Sequence, residues 1–158
     1  MKWLLILLSC LMLSGCMTPN LEWETLQNEL DTPLKIATWM KENITYEAHI
    51  YIELTPYQLF NTLKGDCSDM ANFGEYIAEI NGYTTYHIII WYSDTFMKHM
   101  LTVYDEGLYS FTTNYDYHYG YNSFLDVVLA DDHSNKYNWE AYKVYDDEGI
   151  IERGIRCY

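Results

Sequence analysis

Between Cys67 and Ile80 the apolar residues Met70, Phe73, Ile77 and Ile80 fall at i, i+3, i+7 and i+10, one stripe of an α-helix. Ala71, Gly74 and Ala78 run beside that stripe as a small-residue strip suited to close packing. Asn81-Gly82 supplies a C-terminal stop. Upstream, Thr32-Pro33 reads as an N-cap followed by proline in the first turn. Leu34, Ile36, Ala37 and Met40 form the apolar face of that helix, which should end near Asn43. Thr55-Pro56 repeats the signal and opens a short helix through Leu63, broken by Lys64-Gly65-Asp66. Residues 44–54, rich in Tyr, Ile and Thr, are expected to be extended.

Beyond Gly82 the pattern changes to strands. Segments 83–92, 99–104 and 108–113 are β-rich, and Asp105-Glu106-Gly107 is a hairpin turn signal between the last two. Asn122 or Ser123 caps a short helix through Leu129. Segments 137–145 and 150–155 read as two more strands, joined at Asp146-Asp147-Glu148-Gly149. Helices first and strands afterwards predict an α+β domain over 33–158 with an antiparallel sheet. Residues 17–32 are polar and weakly patterned, as expected of a tether leading into the domain.

Charge narrows the function. Nine Lys and Arg stand against 23 Asp and Glu, a net charge of −14. This excludes a nucleic-acid binder, which needs clustered basic residues, and a helix held on anionic lipid by charge. The first residues offer another route to a membrane. Lys2 precedes an apolar run over 3–13 that is too short to span a bilayer, and small residues follow. Leu13-Ser14-Gly15-Cys16 resembles the lipobox of bacterial lipoproteins. The resemblance implies removal of residues 1–15, acylation of Cys16, a lipidated tether over 16–32 and an extracytoplasmic protein anchored to the cell or outer membrane. Cys67 and Cys157 then remain as thiols, or as one disulfide of an exported protein.

Cys67 opens the small-faced helix, where the N-terminal end favours a thiolate. His99 begins a strand and can face such a helix start as general base. An antiparallel hairpin returns the chain beside His99, which brings both Asn114 and Asp116 within reach as orienting residues. As turn residues, both also need no functional explanation. His87 lies in an apolar run and is expected to be packed, while His49 and His133 show no matched partner.

Gly65-Asp66-Cys67-Ser68-Asp69 followed by Met70-Ala71-Asn72-Phe73 resembles the catalytic helix of transglutaminase-like, papain-fold cysteine proteins. Asn43-Ile44-Thr45-Tyr46 upstream, and the order Cys, His, Asp/Asn, extend the resemblance over roughly residues 33–119. It implies a Cys-bearing helix packed on an antiparallel sheet, with Cys67 as nucleophile, His99 as base and Asn114 as third member. It further implies a thioester intermediate and a peptide or protein substrate in the cell envelope, with no cofactor.

Two other readings compete. Tyr104, Tyr109, Tyr115, Tyr117, Tyr119 and Tyr121 can furnish an interface, so the same fold can serve as an inactive envelope or phage-encoded binding lipoprotein. Cys67, His99, Asp116 and His118 are a conceivable metal set, but no CxxC or HxxxH spacing supports it. No nucleotide-binding loop occurs in the sequence.

Overall fold

The computed structural model describes residues 19–50, 52–93, 97–131 and 136–157. The leader over 1–15, Cys16 and His133 lie outside the described residues. The first half of the chain contributes α1 (Pro19–Glu29), α2 (Pro33–Asn43), β1 (Thr45–Tyr46), α3 (Pro56–Thr62), β2 (Lys64–Gly65) and α4 (Cys67–Ile80). The second half contributes β3 (Thr85–Tyr92), β4 (Lys98–Asp105), β5 (Tyr109–Thr113), β6 (Asp116–Tyr121), α5 (Phe124–Ala130), β7 (Trp139–Asp146) and β8 (Gly149–Ile155).

Local chemistry explains where the helices start. The Thr32 hydroxyl accepts from the Lys35 N–H at the head of α2. Thr55 and Gln58 form a reciprocal capping box on α3, which ends with Leu63 in the left-handed region. The apolar stripe of α4 is buried through Met70, Phe73 and Ile77, and its small strip lets the sheet come close. A Cβ on Gly74 would lie 2.6 Å from the Tyr104 hydroxyl.

The main sheet is antiparallel and ordered β6-β5-β4-β3-β7-β8. Two cores flank it. Ile88, Ile90, Leu101, Val103, Phe111 and Val144 meet Val127 and Val128 of α5. Tyr104 joins Ile36, Met40, Met70, Phe73 and Ile77 of α2 and α4. Alternation along β4 sends successive side chains to these two cores.

Three stretches differ from expectation. The described part of the tether is helical, and Trp23, 7% exposed, packs among Tyr57, Phe60, Phe73 and Tyr76. One large aromatic anchor outweighs a polar sequence of weak intrinsic pattern. Among the described residues of 44–54 only Thr45–Tyr46 is a strand, paired in parallel with β2. The Leu54 N–H and His49 instead bond the Asp69 carboxylate. Residues 116–121, to which no element was assigned above, form the edge strand β6, pairing Phe111 with His118 and Thr112 with Tyr117. No helix among the described residues is long and apolar enough to cross a membrane.

Candidate active site

The approach to Cys67 is built from backbone and carboxylates. Asp66 Oδ1 accepts from the Ser68 N–H at 2.9 Å, the Asp69 N–H at 3.3 Å and the Ser68 hydroxyl at 2.7 Å. Asp69 Oδ2 accepts from the Asp66 N–H at 2.9 Å, completing a capping box. Asp69 is fully buried. Its Oδ1 accepts from the Leu54 N–H at 2.7 Å, and His49 Nε2 lies 2.6 Å from Oδ2. This one carboxylate therefore ties the 47–54 loop to the head of α4. His49, for which the sequence showed no matched partner, has one here.

Cys67 is half-buried and free. The expected alternative bridge to Cys157 is not formed: Cys157 follows the edge strand β8, which β7 and β3 separate from β4. The backbone N–H groups of Met100, Ser68 and Cys67 lie near the sulfur and favour its anion. Met100 follows His99, so the thiol sits against the start of β4. Burial pushes the Cys67 thiol above its ordinary pKa, the Asp66 carboxylate adds to the rise, and the three N–H groups oppose it. The resting group is thus a thiol, and an attack by sulfur requires a base.

A cleft of about 310 Å³ is lined by Cys67, His99 and Asn114, together with Tyr46, Tyr92, Met97, Lys98 and Tyr137. His99 is buried. Its Nε2 lies 2.8 Å from the Thr113 hydroxyl oxygen, which donates to Asp131 Oδ1 at 2.8 Å. A hydroxyl has one proton, so with that proton on the carboxylate the Thr113 oxygen accepts from Nε2–H. In the neutral ring the lone pair then belongs to Nδ1. Asp131 is fully buried, and the Tyr92 hydroxyl donates to its Oδ2 at 3.3 Å.

Asn114 occupies the two-residue turn between β5 and β6 in the left-handed region, φ 54°, which asparagine tolerates. It borders the cleft, but the hydrogen bond of His99 Nε2 goes to the preceding residue, Thr113. Asn114 Oδ1 is buried and accepts no hydrogen bond among the described residues. Asp116 is not brought to this cleft. It is exposed and paired with Lys41 at 2.7 Å, bordering a separate depression with His118. The set Cys67, His99, Asp116 and His118 is therefore not assembled. Among the described residues the potential ligand group is His49, Asp66 and Asp69, whose donor atoms lie within 4.8 Å of one another.

His87 is packed as expected. The tyrosines around residue 115 do not form one open face. Tyr104 is fully buried, Tyr109 and Tyr121 pack on the α5 core, Tyr115 packs on the α4 core, and Tyr117 donates to Glu106. They serve mainly as scaffold.

No family model matches the chain, and no curated protein matches it. Among solved structures, calcium-bound LapG of Legionella pneumophila aligns with a TM-score of 0.56 at 11% identity, covering 85% of this chain and 81% of LapG. EGTA-treated LapG aligns with a TM-score of 0.56 at 12% identity, covering 87% and 80%. At this identity the likeness is one of fold. It shows that the chain shares the α+β fold of LapG, helices packed on an antiparallel sheet, in agreement with the fold expected from the cysteine segment.

Proposed function

We propose that the protein is a cysteine hydrolase or acyltransferase acting on peptide or protein amides through a Cys67 thioester. The observation that carries this reading is a cysteine at a helix start sharing one cleft with a histidine held by a buried hydrogen-bond chain. In the proposed reaction His99 takes the proton of the Cys67 thiol as sulfur attacks the carbonyl carbon. The protonated ring then gives that proton to the leaving amine, and the C–N bond breaks. Water or a second amine, deprotonated by His99, opens the thioester and restores the thiol. The Cys67 N–H is a candidate donor to the oxyanion. Tyr46, Tyr92 and Tyr137 offer a bound peptide apolar area and hydroxyls together.

Calcium, present in one of the LapG structures, does not fit the Asp66–Asp69 pair at the head of α4. Asp66 and Asp69 supply four oxygens, three of which already accept hydrogen bonds, and their neighbour His49 offers nitrogen. Calcium takes six to eight oxygen ligands, and no step above uses a metal.

The lipid-anchored, extracytoplasmic setting follows from the Cys16 segment and remains part of the proposal. Metabolic palmitate labelling should disappear in Cys16→Ser. For the chemistry, the test is hydrolysis of a mixture of fluorogenic peptide amides by the full chain. Cys67→Ala should abolish it, and His99→Ala should lower kcat/KM at least about 100-fold. Hydrolysis that survives Cys67→Ala contradicts the reading.

A further inference from the structure

Resting on the cysteine-hydrolase reading, we infer that Asp131, acting through the Thr113 hydroxyl, is the carboxylate that positions His99, in place of Asn114. Three observations converge. First, the chain from His99 Nε2 to Thr113 Oγ1 to Asp131 Oδ1 runs through two links of 2.8 Å, while the direct separation of Nε2 and Oδ1 is 3.9 Å. The hydroxyl fills the gap between ring and carboxylate. Second, the three side chains are buried, at 5%, 5% and 0% exposure, so their interactions act in a low dielectric. The carboxylate is held at its own end as well: Asp131 is the C-cap residue of α5, its N–H bonds the Val127 carbonyl, and Tyr92 donates to Oδ2. Third, Asn114 has a neutral amide whose oxygen accepts no hydrogen bond among the described residues, and Nε2 is engaged elsewhere.

The relay gives His99 two properties a base needs. Thr113 selects the Nε2–H tautomer, so the lone pair that receives the thiol proton is at Nδ1. Asp131 then stabilises the imidazolium formed by that transfer. Asp131 touches no reacting atom; it is a positioning residue, and Thr113 is its link. Asn114 borders the cleft without holding the ring.

The test is the pH profile of Cys67 alkylation by iodoacetamide, read by peptide mass mapping on the full chain, with circular dichroism as the check on folding. Asp131→Asn and Thr113→Val should each slow alkylation at neutral pH at least about tenfold and move its inflection upward. Thr113→Ser keeps the hydroxyl and should stay within about twofold of wild type. His99→Ala should slow the reaction at least as far as Asp131→Asn. If the first two variants keep the wild-type profile while His99→Ala loses it, the relay is overturned and the cysteine–histidine reading stands. If His99→Ala also keeps the profile, that reading itself fails. Should Asp131→Asn not fold, the isosteric Thr113→Val and its rescue by Thr113→Ser decide, and equal loss in both overturns the relay.

Discussion

Gly65 shows how little room the path to Cys67 leaves. A Cβ there would lie 2.7 Å from Asp69 Oδ2 and from Leu59 Cδ1, and 2.9 Å from Asp69 Cβ. Gly65→Ala must displace the carboxylate that holds both the helix head and the 47–54 loop. We expect a loss of about 1–3 kcal/mol in urea unfolding; an unchanged midpoint would mean that the Asp69 hub is slack. At this scale the meeting of Cys67 and His99 at one cleft was legible, because a cysteine after Gly-Asp and a histidine opening a strand are local patterns. Asp131 was not. Its proposed role depends on the end of α5 reaching the end of β5, and Asp131-Asp132 otherwise reads as loop. Thr113 was hidden for the opposite reason: a threonine finishing a β-branched strand looks like ordinary strand composition.

Among the elements, α4 carries Cys67 at its head and an acidic side further along. Burial raises the Glu75 carboxyl to about 7, with Glu79 and Asp147 adding to the effect. Burial lowers His87, 3.4 Å away, so near neutral pH the ring is uncharged while the Glu75 carboxyl is about half-ionised, and the contact is not an ion pair. The folded state holds the Glu75 proton to higher pH than the unfolded chain, whose ordinary value is 4.5. The contribution is therefore full below about 4.5 and is lost as pH rises through 7. Glu75→Gln should stabilise the protein at pH 8 by about 1–2 kcal/mol, allowing for partial solvent screening, and add little at pH 4. Equal gains at both values in urea unfolding would contradict the shift. Helices α2 to α5 were legible from caps and periodicity, α4 to the residue, whereas α1 was not. The 47–54 loop was misread because its β-forming residues give up a ladder for the Asp69 carboxylate, and Ile50 and Ile52 remain 93% and 91% exposed.

For the whole molecule, two cores on opposite faces of one sheet set the cleft where α4 meets the start of β4. The antiparallel sheet and the hairpins were legible from alternating segments and turn residues. The order that places β3 between β4 and β7 was not, since it rests on long-range pairing. Nor was the docking of α1, which depends on Trp23 finding four aromatic rings distant in sequence. Trp23→Ala should cost about 3–5 kcal/mol by chemical denaturation, whereas a free tether would show almost no change.

The central claim, that Cys67 and His99 act together on a carbonyl substrate, is tested most directly by covalent trapping. The full chain is treated with a peptidyl chloromethyl ketone at neutral pH, and the adduct is mapped by mass spectrometry. A stoichiometric adduct on the Cys67 sulfur, formed at least about 100-fold more slowly in His99→Ala, is the expected result. Labelling that falls equally on the exposed Cys157, or that proceeds at the same rate without His99, contradicts the claim.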